Sequence, residues 1–353
     1  MKDNIDRKPK ELINELSSGL IPVYSLRELR RLNPPSYLIH RVIPESGLVY
    51  LVAEPSSKKT FVAIHMACCV QTGTSFFEKP VKRGNVVYVA AEGQSGIQKR
   101  ITAWQKAQGV VVPEDMFSVI PIAINLADRT KQTELINVLL QREKSLGSID
   151  FIVIDTLSRC LLGDENSAKE MTAFVDICTR LIQKFKCSVL VVHHPAKSGN
   201  GGARGHSSLE GAADQGLAIR NGKRDHFILK LDAKPPKDDE PAPDLYLKAA
   251  IYDLSLDLGF NDEGKPISSL SLELDESIKV KEVETVEVKS KKQALIDLIM
   301  EILKKGPLSR SEICYEIAGS SNNFSDKTIS RALSSMLNCG VLWQPKHGKY
   351  ELA

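Results

Sequence analysis

Short apolar runs alternate with segments of helical periodicity over the first two thirds of the chain. When apolar runs lack polar alternation and helices separate them, they predict a mainly parallel sheet that is covered on both faces. The predicted strands are Gly47–Ala53, Asn85–Ala91, Phe117–Ile120, Phe151–Ile154 and Ser188–Val192. The predicted helices are Lys59–Gln71, Ser95–Gln108, Thr130–Lys144 and Ala168–Phe185. The pattern therefore predicts an α/β fold class.

The pattern changes after Gln215, where strands follow one another without intervening helices. Such closely spaced strands are typical of antiparallel hairpins that extend a sheet. Residues 257–290 are charged and lack a helical period, so we interpret them as a linker. The predicted organisation is an N-terminal adaptor at residues 1–40, a main domain at 41–256, this linker, and a small domain at 291–353.

The small domain is predicted to contain three helices followed by a short hairpin. Ser309 and Ser325 are suitable N-caps for the second and third helices. The order resembles a winged helix-turn-helix, with the third helix in the recognition position. The candidate nucleic-acid contacts on that helix are Lys327, Thr328, Ser330 and Arg331. Winged helices also dock proteins, so the pattern leaves DNA and a protein open as partners of this domain.

Composition adds few constraints to this picture. The chain of 353 residues is 42% hydrophobic and has a net charge of +3, so the overall charge does not by itself indicate nucleic acid. Seven cysteines without metal-ligand pair spacing favour reduced thiols in a cytosolic protein. No apolar run approaches the roughly 18 residues that a membrane span needs, so we expect a cytoplasmic protein without a membrane segment.

A candidate phosphate loop joins the first main strand to the first main helix. Such a loop needs backbone N–H groups around phosphates, a lysine that reaches the terminal phosphates, and a hydroxyl for Mg²⁺. Lys59 and Thr60 supply the last two, but Ala53 and Lys58 stand where the pattern has glycines. Lys58 could crowd the nucleotide or add a second positive charge beside it, and a solvated helix start is the alternative interpretation. The candidate nucleotide-binding residues are Pro55, Ser56, Ser57, Lys58, Lys59 and Thr60.

Polar side chains follow three of the other predicted strands. Asp155 ends the run FIVID and is placed to hold the water shell of Mg²⁺ opposite Thr60, although a helix N-cap is an equal alternative. Glu92 follows the second strand and could orient and deprotonate an attacking water. His193 and His194 follow the fifth strand, where polar groups can sense a γ-phosphate or simply complete a turn.

Five segments taken in order resemble a known ATPase family. The segments are VYLVAEPSSKKTFVAIHMACCVQTG, VVYVAAEGQSGIQKRI, IDFIVIDTLSR, VLVVHHPAKSG and ARGHSSLEGAAD, within about residues 40–255. They resemble the RecA-like P-loop ATPase domain of the plasmid RepA hexameric helicases and their phage relatives. The resemblance implies that residues 41–256 form a RecA-like P-loop NTPase core with a mostly parallel sheet, which binds ATP and Mg²⁺.

The resemblance also implies roles for individual residues. Lys59 and Thr60 would be the Walker A pair, Asp155 the Walker B aspartate, and Glu92 the catalytic base. His194, or His193, would be the sensor. Arg204 resembles the family's arginine finger, which acts on a neighbouring subunit's nucleotide, and its alternative is a solvated loop arginine. Lys234 and Lys237 are weaker candidates for a second element that acts across the subunit interface.

The family resemblance implies a homo-oligomer, a hexameric ring, that holds single-stranded DNA in its channel and could hold duplex DNA at the winged helix. The expected function is an ATP-dependent DNA helicase or translocase in plasmid or phage replication. The glycine-rich residues 196–203 are either a channel loop or a plain linker. Two alternatives stay open: a DNA-binding regulator that binds nucleotide with little turnover, and a strand-exchange ATPase that forms filaments.

Overall fold

A computed structural model shows the chain as two compact units, residues 1–275 and 276–353. The structure describes residues 23–30, 36–161, 167–194, 204–222, 225–234, 240, 242–275, 293, 295–318, 324–344 and 348–352, without the side chains of residues 204–207 and 338. Within these ranges, no helix combines the length and apolar character needed to cross a lipid bilayer.

Strands make up the centre of the first unit. They are β1 (Tyr37–Ile39), β2 (Ile43–Pro44), β3 (Gly47–Val52), β4 (Val86–Ala90), β5 (Ser118–Ile120), β6 (Phe151–Asp155), β7 (Ser188–His193), β8 (Gln215–Asn221), β9 (His226–Lys234), β10 (Leu245–Asp253) and β11 (Ser268–Leu274). In the part of the chain that the structure describes, nine of them form one sheet in the order β11-β10-β9-β8-β3-β7-β6-β4-β5. Strands β1 and β2 pair separately.

Helices cover both faces of this sheet. They are α1 (Leu26–Leu29), α2 (Lys59–Thr72), α3 (Ile97–Gln108), α4 (Arg129–Leu146), α5 (Leu157–Leu161), α6 (Ala168–Phe185), α7 (Arg204–Ala212) and α8 (Ser255–Leu258). Buried residues of α2 and α3 pack on one face, and those of α4 to α7 pack on the other. Alternate residues of β3 enter the two clusters, as a strand's period of two requires.

The central strands run in parallel. β3 pairs with β7 and β8, β6 pairs with β7 and β4, and β4 pairs with β5, all in parallel register. β8, β9, β10 and β11 then form antiparallel pairs at one side. The predicted α/β class and the mostly parallel central sheet are therefore confirmed, and the carboxyl ends of β3, β4, β6 and β7 share one edge.

Two predicted boundaries of the main domain are wrong. β1 lies in the predicted adaptor, yet it pairs with β2, and Ile39 is fully buried in the core beside α2. The predicted linker contains β11, which pairs with β10 from Leu247–Leu274 to Asp253–Ser268. Serine and leucine alternate through much of β11, a strand period that the charged surroundings obscured. Residues 276–290 lie outside the described ranges.

The second unit contains three helices and three short strands in the part that the structure describes. Residues 295–303 are helical, followed by β12 (Leu308–Ser309), α9 (Arg310–Ala318), α10 (Asp326–Asn338), β13 (Leu342–Trp343) and β14 (Lys349–Leu352). The strands form an antiparallel sheet in the order β12-β14-β13. The predicted caps are confirmed, because Ser309 and Ser325 accept hydrogen bonds from the N–H groups of Glu312 and Thr328. Apolar residues of all three helices share one core.

Candidate active site

The predicted site residues of the first unit meet at the carboxyl edge of the parallel strands. Asp155 ends β6 and lies in register between Ala90 on β4 and Val192 on β7. His193 ends β7 and lies in register with Val52, the last residue of β3. The loop after β3 and the residue pair after β4 therefore lie on either side of Asp155. The parallel register thus places residues that are distant in sequence next to one another at this edge.

The loop between β3 and α2 has the backbone geometry of a phosphate cradle. Ser56 and Lys58 have positive φ angles of 61° and 69°, so both are left-handed. Left-handed residues in a tight turn aim successive N–H groups at one point, which forms a nest for an anion. The conformation costs about 1–2 kcal/mol for each residue that is not glycine. Lys58, which stands where the pattern has a glycine, therefore takes the left-handed conformation at the N-cap of α2.

The side chain of Lys58 turns toward β9. Its Nζ lies 3.7 Å from Oδ1 of Asp225 and 5.9 Å from the centre of the Phe227 ring. The sequence left open whether this lysine would crowd the nucleotide or add charge beside it. The structure gives its ammonium a carboxylate and an aromatic ring as neighbours.

Lys59 and Thr60 begin α2 and face Asp155. Lys59 is only 8% exposed, and burial lowers the pKa of its ammonium while the charges of Asp155 and Glu92 oppose that shift. The Thr60 side chain lies near Asp155, where it opposes the rise that burial causes in the pKa of that carboxyl. A cation and a hydroxyl at the start of a helix, with its N–H groups free to bind an anion, are suited to the terminal phosphates of a nucleotide.

Asp155 is buried, and its two carboxylate oxygens have different surroundings. Oδ2 accepts a hydrogen bond of 2.7 Å from the Tyr88 hydroxyl, whereas Oδ1 is buried and has no hydrogen-bond partner among the described residues. Burial raises the pKa of Asp155, and the Tyr88 hydrogen bond, the nearby Thr60 hydroxyl and the Lys59 charge oppose that rise. An unpaired buried acceptor costs about 1–3 kcal/mol. Oδ1 is therefore available to the water shell of a divalent cation, and the residues present fit Mg²⁺.

A second buried oxygen without a partner lies in the loop. Ser57 is 1% exposed, and its hydroxyl makes no hydrogen bond within the described residues. Its backbone N–H donates to the Glu54 carbonyl at 3.2 Å, which closes the turn. Pro55 and Ser56 lie at the exposed tip of this turn.

Glu92 is exposed beside Asp155. The Ala91 N–H donates to the Asp155 carbonyl at 2.8 Å, which fixes the chain directly before Glu92. The Thr156 hydroxyl lies 3.4 Å from Oε2 of Glu92, within weak hydrogen-bond distance. Glu92 thus presents a carboxylate to solvent at the same edge as Lys59, where a general base for water would be needed.

The structure describes the remaining predicted residues to different extents. His193 is buried, and its carbonyl accepts a hydrogen bond of 3.2 Å from Ala53 at the start of the phosphate loop. His194 follows it and is half-buried. Arg204 is the first residue of α7, but its side chain lies outside the described part. The candidate channel loop at 196–203 and Lys237 also lie outside it.

Lys234 contacts the end of a helix in its own chain. Its ammonium donates to the carbonyls of Glu210, Gly211 and Ala213, with a distance of 3.1 Å to Gly211. These carbonyls lie at the end of α7, where a cation is favourable. Lys234 therefore caps a helix of its own subunit in this structure.

Sequence reasoning missed Tyr88 and Arg100. Tyr88 lies inside an apolar strand, and its only sequence signal is that a buried tyrosine hydroxyl usually needs a partner. Arg100 lies on α3 with its guanidinium 5.2 Å from the centre of the Phe61 ring. Its charge opposes the rise that burial causes in the pKa of Asp155. Neither residue belongs to a phosphate-loop pattern, so only the fold identifies it.

We predict that Tyr88→Phe raises the Mg²⁺ concentration for half-maximal nucleotide binding by about 10-fold to 100-fold. This is the usual effect of removing a residue that orients a metal ligand. The change removes only the hydroxyl that holds Oδ2 of Asp155. The measurement is a Mg²⁺ titration of fluorescent nucleotide binding. Tyr252→Phe is the matched control, since its hydroxyl donates to Glu273 at 2.7 Å on β10 and β11. Equal half-saturating Mg²⁺ in both variants would contradict the assigned role of Tyr88.

Comparison with known proteins agrees with this geometry. A family model described as an AAA domain matches residues 19–200, slightly more than half of the chain, and includes the loop, Glu92, Asp155 and both histidines. Comparison with curated proteins gives no match. The match supports a nucleotide-binding P-loop ATPase without singling out the RepA-type helicases. The chain belongs to the AAA domain family and carries its P-loop ATPase domain in the first unit.

Proposed function

We propose that this chain is an ATP-dependent DNA helicase or translocase that works as a homohexameric ring in plasmid or phage replication. The observation that carries the ATPase part is the convergence of Lys59, Thr60, Asp155 and Glu92 at one sheet edge, where Oδ1 of Asp155 has no partner in the part of the chain that the structure describes. The DNA-motor part rests on the ordered segments that resemble the RepA-type helicases, and on the second unit.

In the proposed mechanism, the chain positions ATP and one water molecule. The N–H groups of the loop and the Lys59 ammonium bind the phosphates, and Thr60, with Asp155 through the water shell, would hold Mg²⁺. Mg²⁺ would neutralise charge on the β- and γ-phosphates. Glu92, exposed beside this site, aligns the attacking water and accepts its proton. Arg204 of a neighbouring copy would neutralise charge that develops in the transition state.

Strand β7 offers a route from the nucleotide to DNA. The hydrogen bond between the Ala53 N–H and the His193 carbonyl joins the start of the phosphate loop to the end of β7. A shift of the loop on hydrolysis would therefore act on His193 and His194, which lead directly into residues 196–203. We propose that those residues contact single-stranded DNA through its phosphates in the ring channel.

We propose that the second unit is a winged helix that binds duplex DNA. Its helix and strand order, with the three-stranded sheet β12-β14-β13, supports this assignment. The face of α10 carries Lys327, Ser330 and Arg331 around an open concavity of about 760 Å³, which Arg310 also lines. Thr328 contributes less than expected from the sequence, because its hydroxyl lies 2.8 Å from Ser325 Oγ at the helix N-cap.

A regulator that binds nucleotide with little turnover is the second candidate function. The left-handed Lys58 favours it, because the loop stores strain where other loops have glycine. A protein partner at the second unit would fit this candidate as well. A strand-exchange ATPase is a third candidate, and it predicts open filaments on DNA in place of closed rings.

We predict ATP hydrolysis that single-stranded DNA stimulates, in a species of hexamer mass. Lys59→Ala should remove nucleotide binding, and Glu92→Gln should keep binding while hydrolysis falls by about 100-fold to 10,000-fold, the usual contribution of a general base. The measurements are steady-state hydrolysis, nucleotide binding and solution mass. Glu45→Gln is the matched control, because Glu45 pairs with Lys82 before the amino end of β3, away from the site.

Three results would overturn the motor proposal. Measurable nucleotide binding without turnover would favour the regulator. Open filaments in electron micrographs would favour the strand-exchange ATPase. Full activity in Glu92→Gln would remove the assigned base.

We predict that Lys327→Ala and Arg331→Ala in the full-length protein each weaken duplex DNA binding and lower the slope of log affinity against log salt by about one unit. Each side chain would otherwise release a counterion from the phosphate backbone. The measurement is fluorescence anisotropy over a series of salt concentrations. Lys304→Ala is the control, since this exposed lysine follows the first helix of the unit and is not among the residues that line the concavity at α10. Unchanged slopes in both test variants would favour protein docking.

A further inference from the structure

Lys58 occupies a loop position at which a side chain is unfavourable. Its φ of 69° lies in the left-handed region, which suits glycine. The carbonyl of Lys58 also accepts the Val62 N–H at 3.1 Å, as the first bond of α2. The residue therefore fixes both the end of the loop and the start of the helix that carries Lys59.

The Lys58 side chain spans an intervening strand. β8 lies between β3 and β9 in the sheet, so a side chain that leaves the loop after β3 must pass the end of β8 to reach β9. It does so, because Nζ lies 3.7 Å from Oδ1 of Asp225 and 5.9 Å from the Phe227 ring centre. The Lys58 side chain is 17% exposed along this path, although Asp225 is 67% exposed.

Both partners of Lys58 belong to a firmly bonded part of the sheet. The Asp225 carbonyl accepts the Ala249 N–H at 3.0 Å. Phe227 is buried and pairs with Leu247 on β10 and with Asn221 on β8. The ammonium thus lies against a surface that two strand ladders stabilise.

We propose that Lys58 is a positioning residue, a strut that joins the phosphate loop to β9 through Asp225 and Phe227 and holds the loop ready for nucleotide. The proposal rests on the proposed nucleotide-binding function of the same site. A loop that is held in its bound conformation loses less conformational entropy when the ligand arrives, which raises affinity. The strut would thereby offset the free-energy cost of the left-handed backbone at Lys58. In the competing arrangement, Lys58 is a phosphate ligand that Asp225 holds back.

The two arrangements predict opposite signs for one variant. If Lys58 is a strut, Lys58→Met and Asp225→Asn each weaken binding of a non-hydrolysable ATP analogue with Mg²⁺ by about twofold to fivefold, the size of one exposed ion pair. The double variant is then no weaker than the single variants. If Lys58 is a phosphate ligand, Asp225→Asn tightens binding and Lys58→Met weakens it. Calorimetric titration of the full-length protein distinguishes these patterns.

Conservative and remote variants serve as controls. Lys58→Arg should restore affinity, because a guanidinium can bond Asp225 and stack on Phe227. Lys82→Met removes another lysine–carboxylate pair, with Glu45 at 2.9 Å, and should leave affinity unchanged. Affinity that falls equally in Lys58→Met and Lys82→Met would overturn the strut.

Amide hydrogen exchange without nucleotide separates the strut from the proposed function. The strut predicts faster exchange of residues 53–60 in Lys58→Met and in Asp225→Asn than in the wild type, with no change in Lys82→Met. If the wild type binds no nucleotide but the variants show this exchange pattern relative to it, the proposed function is refuted and the strut is supported. A wild type that binds nucleotide, with exchange and affinity unchanged in both test variants, would refute the strut alone.

Discussion

The buried carboxylate of Asp155 sets the arrangement of the whole sheet edge. Removal from water disfavours its charge, and the structure opposes that cost with a hydrogen bond from Tyr88, the nearby Thr60 hydroxyl and the charges of Lys59 and Arg100. These groups come from α2, α3 and β4, three elements that meet only because the parallel strands place their carboxyl ends together. These neighbours compensate the carboxylate only in part, since one of its oxygens has no partner within the described ranges. A divalent cation and its water would complete that arrangement.

The phosphate loop lies at the same sheet edge and has contacts on both sides of β3. The Ala53 N–H bonds the carbonyl of His193 on β7, and Lys58 reaches Asp225 beside β9. The loop is therefore fixed to strands on both sides of β3. In loops with glycine, the freedom of the glycine backbone allows the left-handed turn. In this loop the left-handed residue is Lys58, and its side chain contacts Asp225 and Phe227. The departure from the glycine pattern is consistent with a working nucleotide site of unusual construction.

The sequence predicts the parallel core and most of its edge, because buried parallel strands produce uninterrupted apolar runs and functional residues follow them directly. Asp155, Glu92 and the loop residues were found in this way. β11 escaped prediction, since its alternation of serine and leucine stands among charged residues. Tyr88, Arg100 and the partners of Lys58 could not be predicted, because their roles come from contacts between residues far apart in sequence. The direction of the Lys58 side chain depends on β9, more than 160 residues later.

The most direct test of the account is a crystal structure of the protein with a non-hydrolysable ATP analogue and Mg²⁺. The account predicts terminal phosphates within hydrogen-bond distance of Lys59 and of the loop N–H groups, and Mg²⁺ bound by the Thr60 hydroxyl. Oδ1 of Asp155 should accept a hydrogen bond from the Mg²⁺ water shell, while Lys58 stays beside Asp225. Phosphates bound by Lys58, or a nucleotide bound away from this sheet edge, would contradict it.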